Sequence, residues 1–193
     1  MKQNLKAAIN AAIAKENYDM TDQGIIFPGL SIIAKGEYFD RVNGGEWEIT
    51  PNLVVNEGLA HILNVALGGK AKIANYYLAI FSGATAPAAN WTAANFAAVA
   101  SEIVSLTEGY SQATRPLWSP SEASSNSIDN MSTAASITIA TAGTLNVTGA
   151  ALLSNATKGG TSGVLVSATK YSTARTFQNG DIYEIGYRLS LTV

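Results

Sequence analysis

The last eleven residues of the chain constrain its fold more than any other segment. From Tyr183 to Val193 every second residue is apolar, and the residues between them are polar or small. A period of two places alternate side chains on opposite faces of a β-strand, so this pattern predicts a strand with one buried face. The turn residues Asn179-Gly180-Asp181 stand directly before it and predict where this strand begins.

Shorter strand patterns occupy much of the chain before this one. Further strands are predicted over residues 75–82, 102–106, 136–140, 145–153 and 164–169. Residues 31–50 predict a β-hairpin that turns at Asn43-Gly44-Gly45, because Asn and Gly tolerate positive φ. The glycine-rich run 159–163 predicts another hairpin connection, and residues 119–135 predict a loop. We therefore expect a mainly β fold, an antiparallel β-sandwich or jelly-roll-like body with a few short helices and an extended N-terminal arm.

Two helices are predicted within this body. Asn56 is expected to cap a helix over residues 57–67 that ends at Gly68-Gly69, and an Ala-rich helix is expected over residues 93–100. Helical spacing places five apolar residues on one face of the first helix: Leu59, Ile62, Leu63, Ala66 and Leu67.

The N-terminal residues differ in character from the rest of the chain. Residues 1–48 carry 12 of the 26 charged side chains. Residues 3–16 predict a helix with a narrow apolar stripe, and residues 17–30 predict an extended linker. We therefore divide the chain into an arm, residues 1–30, and a β-rich body, residues 31–193. A lone helix of this length is marginal in water, so it needs a surface to lie on, either its own body or a partner subunit. The candidate partner-interface residues are the apolar ones of the arm: Leu5, Ile9, Ile13, Ile25, Ile26 and Phe27.

The sequence contains no recognisable catalytic, cofactor or metal motif. It has no cysteine, and its one histidine, His61, has no G-x-S-x-G nucleophile motif to pair with. No phosphate-binding glycine spacing is present. Paired carboxylates for glycoside hydrolysis meet only in three dimensions, so sequence spacing does not identify a pair, and Asp129 with Glu184 is named only as an example. We therefore expect a protein that is not an enzyme and binds no cofactor or metal.

Low charge points to protein partners. Only 13% of the residues are charged, against about 25% in an average domain, and the formal net charge is −2. Charged groups are depleted in the cores of protein interfaces, which favours an assembly role over a soluble monomer. No basic stripe, membrane-length apolar run or signal-peptide pattern is present, so we expect neither nucleic acid nor membrane as a partner. The aromatic residues Trp47, Trp91 and Trp118 offer a sugar platform as an alternative to core packing.

One ordered set of segments resembles a known class of proteins. Residues 51–81 begin with Asn52–Leu59 and continue through a short amphipathic helix into an aromatic strand. Segments Asn90–Ala94 and Val147–Leu152 follow, and Asn179–Asp181 introduces the closing strand. This pattern, spread over about residues 38–193, resembles small virion proteins of tailed bacteriophages.

The resemblance implies a structural component of a virus particle, made in the cytoplasm of the host bacterium. Capsid decoration (cement) proteins and tail-fibre or baseplate accessory proteins share such β-rich bodies. The apolar arm of residues 1–30 favours a decoration protein that binds the major capsid protein or other virion proteins, often as a homotrimer. A tail-fibre, collar or baseplate accessory protein with a glycan- or protein-binding role is the alternative. The resemblance carries no catalytic residue.

Overall fold

The computed structural model describes residues 18–20, 26–28, 33–123 and 125–192. The chain divides into two compact units, Met1–Ile33 with Leu191–Val193, and Ala34–Ser190. In the first unit, strands β1 (Tyr18–Met20) and β2 (Ile26–Pro28) pair antiparallel, within the segment predicted as an extended linker. The predicted helix over residues 3–16 lies outside the described residues.

Eleven further strands and two α-helices follow in the described residues. The strands are β3 (Ile33–Val42), β4 (Glu48–Pro51), β5 (Leu53–Val54), β6 (Tyr76–Phe81), β7 (Gly109–Tyr110), β8 (Leu117–Trp118), β9 (Ser127–Asp129), β10 (Ala135–Ala140), β11 (Leu145–Leu153), β12 (Leu165–Phe177) and β13 (Ile182–Thr192). The helices are α1 (Asn56–Ala66) and α2 (Ala93–Ala100), and Met131–Thr133 form one 3-10 turn.

These strands form two sheets. The first has the order β4-β3-β13-β10-β7, with β9 also paired to β13, and the second has the order β5-β12-β11-β6-β8. Every pairing whose register the described residues define is antiparallel. The expected mainly β, antiparallel sandwich class is therefore confirmed.

The alternation in β13 buries the predicted face over the first half of the strand, whereas Leu189 is partly exposed and Leu191 is 48% exposed. Tyr183, Ile185 and Tyr187 are fully buried and pack against apolar side chains from both sheets. Gly186 faces the other way, and a Cβ added to it would lie 2.1 Å from the ring of Phe39. Only glycine therefore lets β13 approach that ring without a shift of the neighbouring atoms.

The second sheet is buried on both faces. In β6, Leu78 and Ile80 face the core between the sheets, whereas Ala79 and Phe81 belong to a second core under α2. This double burial explains why β6 is a continuous apolar run and does not alternate. Helix α2 covers the second core through Phe96, and its first turn is closed by a capping box between Thr92 and Asn95.

Three local predictions are wrong. The segment 102–106 forms only an isolated bridge, Phe81 with Glu102, because the Glu102 carboxylate turns inward to Arg115. Asn56 is the first residue of α1 and not its cap; Val55 holds the cap position without a side-chain hydrogen bond. The predicted loop 119–135 contains β9 and the 3-10 turn.

Candidate functional site

Helix α1 turns most of its predicted apolar face towards solvent. The residues that it buries are Gly58 and His61, which lie on the opposite side from Leu63. A Cβ at Gly58 would lie 2.1 Å from the carbonyl oxygen of Val166, so this glycine seats the helix directly on β12. Of the predicted apolar face, the structure partly buries Ile62 and leaves the other four residues exposed: Leu59, Leu63, Ala66 and Leu67.

Three leucines form a continuous exposed row along the helix. Leu59, Leu63 and Leu67 follow each other at a spacing of four residues and are 38%, 60% and 84% exposed. Residues four apart lie next to each other on a helix surface. We call these three residues the α1 leucine row.

Within the helix, the exposed neighbours of the α1 leucine row are uncharged, and Lys70 follows at its C-terminal end, where its backbone N–H donates to Asn64 at 3.0 Å. The exposed helical neighbours are Asn56, Ala60 and Asn64. The one acidic residue of the helix, Glu57, points elsewhere, because its carboxylate accepts hydrogen bonds from the backbone N–H groups of Ala93 (2.8 Å) and Leu165 (2.7 Å). Single exposed apolar residues are ordinary, but an uncharged row of three is typical of a protein-binding surface.

The arm residues predicted as partner contacts are only partly within the described chain. Leu5, Ile9, Ile13 and Ile25 lie outside it, whereas Ile26 and Phe27 form part of β2. Their proposed interface role stays a prediction. Sequence reasoning did name the α1 leucines, but as part of a general apolar face and not as a partner surface.

A pocket of about 130 Å³ lies between the two sheets beside α1. Ile62 enters its wall from the helix, Leu152 and Val166 from the second sheet, and Tyr187 and Leu189 from β13 of the first. The pocket exists only where these three distant parts of the chain meet. No local sequence signal marks it.

The few polar groups of the pocket wall bind one another. His61 Nε2 and the Tyr76 hydroxyl form a 2.6 Å hydrogen bond, and Trp118 Nε1 donates to the carbonyl oxygen of Tyr187 at 3.0 Å. Burial lowers the pKa of His61, and the charge of Lys70 lowers it further, which favours the neutral imidazole. The pocket therefore has a mainly apolar wall, in which His61 Nε2, the Tyr76 hydroxyl and Trp118 Nε1 already have partners.

Two of the three tryptophans, Trp91 and Trp118, pack in the cores and do not form a sugar platform. Trp91 is 5% exposed and packs with Phe81 and Phe96 in the core under α2. Trp118 is 9% exposed and contributes to the core between the sheets. Of the two readings of these residues, core packing is correct for both.

The buried charges form ion pairs that connect loops and strands. Arg115 donates two hydrogen bonds of 2.7 Å to the carboxylate of Glu102, and both side chains are fully buried. In a second pair, Arg175 donates to Asp40 at 2.7 Å, and desolvation raises the pKa of Asp40. Such pairs are ordinary structural elements and give no reacting group an open approach.

The two carboxylates considered from the sequence each have an arginine partner of their own. Asp129 accepts from Arg188 Nε at 3.0 Å, and Glu184 accepts from Arg41 at 2.7 Å. Hydrogen bonds lower the pKa of both carboxyl groups, the backbone N–H of Met131 being the largest cause for Asp129. Across the residues that the structure describes, no group of three or more His, Asp or Glu side chains is arranged to hold a metal ion.

The fold and the site together define a mainly β sandwich protein with an exposed apolar helix face and a small apolar pocket. No helix in the described part of the chain is both long and apolar enough to cross a membrane. Comparison with known proteins adds no relative: no family model matches the chain, and no curated protein matches it.

Proposed function

We propose that this chain is a virion structural protein of a tailed bacteriophage, a capsid decoration (cement) protein. It binds the outer surface of the phage head and stabilises the interfaces between capsid subunits. Its main partner is the major capsid protein, and it assembles with itself as a homotrimer. It acts without catalysis, cofactor, nucleic acid or membrane. The observation that carries the proposal is the outward-facing α1 leucine row.

An inverted amphipathic helix supports a binding role. A surface helix normally turns its apolar stripe to the core, because that is where the stripe leaves water. Helix α1 instead packs through Gly58 and His61 and leaves its leucines in solvent. Exposed apolar surface of this kind is stabilised when a second protein covers it.

The size of the α1 leucine row favours an assembly of many copies. Its exposed fractions amount to about two whole leucine side chains, and burial of two such side chains is worth about 4 kcal/mol. That free energy corresponds to a Kd of about 1 mM, before the entropy cost of association. A contact this weak is useful on a symmetric lattice, where multivalent engagement multiplies it.

The arm supplies the second contact in this proposal. Its apolar residues Leu5, Ile9, Ile13, Ile25, Ile26 and Phe27 anchor it across neighbouring capsid subunits, while the α1 leucine row packs on the major capsid protein. Neither contact needs a charged partner, which agrees with the low charge content of the chain. The alternative role, a tail-fibre, collar or baseplate accessory protein that binds a glycan through Trp91 or Trp118, is less well supported because both indoles are buried.

The copy number of the chain on purified particles tests the decoration role. Quantitative mass spectrometry against the major capsid protein should find hundreds of copies per particle. A count of only a few copies would place the chain at the tail or the collar and reject the cement proposal.

Point variants test the surface itself. Particles that lack the chain are mixed with purified protein carrying Leu63→Asp and Leu67→Asp, and binding is measured by co-sedimentation. We expect strongly reduced binding, because two carboxylates would be buried without partners. Leu106→Asp is the control, since Leu106 is also a strongly exposed leucine (50%) and lies outside α1. Equal binding by both proteins would show that the α1 leucine row is not the contact.

A deletion of residues 1–30 tests the arm separately. The truncated protein should keep the circular dichroism spectrum of the folded body and lose particle binding. Full binding by this protein would remove the arm from the proposal.

A further inference from the structure

We propose that the pocket between the two sheets is a binding site for one small apolar group, a single aromatic ring or a short branched alkyl group. The proposal is independent of the virion role. It rests on three properties of the pocket: its volume, the state of its polar atoms and the exposure of its rim.

The volume suits a single ring. Protein interiors are close-packed and contain few voids larger than a water molecule. At about 130 Å³ this pocket is close in size to apolar cavities of roughly 150 Å³ that stay dry and bind benzene or xenon. Its wall would gain dispersion contacts from an occupant, because a ring packs more atoms against the wall than water does.

The chemistry of the wall selects apolar occupants. His61 and Tyr76 are hydrogen-bonded to each other, and Trp118 donates to the backbone of Tyr187. A polar ligand would lose its hydrogen bonds to water and find no replacement here, at a cost of a few kcal/mol. An apolar group meets only aliphatic and ring surfaces, such as Leu152.

The pocket has a buried floor and an accessible rim. Leu152, Val166 and Tyr187 are buried, whereas Ile62 and Leu189 are partly exposed. A group can therefore enter between α1 and the end of β13 without crossing the core.

The same apolar group has two possible sources, a free small molecule or a side chain of a partner polypeptide. Two probes separate them. Benzene tests a free ring, and N-acetyl-L-phenylalanine amide tests the same ring on a polypeptide stem. Binding of both probes assigns the site to a side chain, and binding of benzene alone assigns it to a free molecule.

The titrations are followed by ¹³C-methyl NMR of the full chain. We expect saturable shifts for the methyl groups of Ile62, Leu152 and Val166. The methyl groups of Leu106 and Val104, which lie outside the pocket wall, should not move. Uniform, non-saturable shifts over all methyl groups with both probes would overturn the proposal.

Filled variants provide the second half of the test. Val166→Phe fills the pocket from its floor, and Ile62→Trp fills it from the partly exposed rim. The test needs only one of these two variants to fold. Each should lose the saturable shifts, whereas Val99→Phe, an exposed site on α2, should keep them. Unchanged binding in a folded filled variant would show that the probe binds elsewhere.

Discussion

The fully buried ion pair between Glu102 and Arg115 gives the sharpest prediction about the stability of the fold. The pair joins the segment that follows α2 to the loop between β7 and β8, and its further hydrogen bonds reach the loop between β11 and β12. Arg115 also donates to the carbonyl oxygens of Asn155 (2.8 Å) and Gly160 (3.4 Å), and the N–H of Gly159 donates to Glu102 at 3.0 Å. The substitution Glu102→Gln keeps the shape of the side chain and leaves the guanidinium buried without a counter-charge.

The expected cost follows from burial. Removal of one partner of a buried pair typically destabilises a protein by about 3–5 kcal/mol. A domain has only about 5–15 kcal/mol of total stability, so Glu102→Gln should remove a large share of it. With a denaturant slope of roughly 2 kcal/mol per molar urea, the unfolding midpoint should fall by about 1.5–2.5 M.

The chain supplies a matched control. Arg41 and Glu184 form the same bidentate geometry, with distances of 2.7 and 2.8 Å, but their side chains are 29% and 22% exposed, against 0% and 1% for the buried pair. Partly exposed pairs are worth about 0.2–1 kcal/mol, so Glu184→Gln should lower the urea midpoint by no more than about 0.5 M.

Equilibrium urea unfolding of the two variants decides the question. Equal midpoint shifts for Glu102→Gln and Glu184→Gln would refute the argument from burial. A second check adds Arg115→Met to Glu102→Gln. The double variant should be less destabilised than Glu102→Gln alone, because the uncompensated buried charge is gone.

Three further predictions concern single contacts. Gly186→Ala should lower the free energy of unfolding by about 1–3 kcal/mol, because the added Cβ overpacks the core. The control is Gly143→Ala, where an added Cβ meets nothing within 4 Å and should change that free energy by less than about 0.5 kcal/mol. Urea unfolding compares the two variants. Tyr76→Phe should cost about 1–3 kcal/mol in the same assay, because buried His61 loses its hydrogen bond. Burial lowers the pKa of Lys158 to about 8 in the folded chain. Above that pH the unfolded chain binds more protons than the folded one, so the free energy of unfolding should rise from about pH 8 to about pH 10. Lys158→Met should remove that rise.

Each of these three predictions can fail clearly. A Gly186→Ala midpoint equal to that of Gly143→Ala would mean that β13 and the ring beside it separate easily. An unchanged urea midpoint for Tyr76→Phe would mean that water replaces the hydroxyl as the partner of His61. An unfolding free energy of the Lys158→Met protein that rises over the same pH interval as that of the natural chain would assign the rise to another group.

The elements that the sequence predicted best are those defined by local patterns. Helix α2 spans Ala93–Ala100 and β11 spans Leu145–Leu153, as predicted, and β13 begins one residue before the predicted Tyr183. Each of these elements has regularly spaced apolar residues or turn residues directly beside it. Strand β12 was predicted to end at residue 169 but continues to Phe177, because its later residues pair with β11 beyond an irregularity that breaks the alternation.

The candidate site was predictable in part. Helical spacing identified Leu59, Leu63 and Leu67 as one face, but spacing alone cannot say whether such a face packs inward. That depends on Gly58, which allows the opposite side of the helix to sit on the Val166 carbonyl. The apolar residues of the arm were identified from the same kind of pattern, and their interface role is still a prediction.

The amino-acid sequence by itself determined the mainly β class, the turns and the positions of the strongest elements, because periodicity and turn chemistry act over a few residues. Only the tertiary structure decided which way α1 faces, which acid Arg115 meets, and where a pocket lies between β11, β12 and β13. These features depend on residues far apart in the chain, whose distances are set when the two sheets pack and not by any local preference.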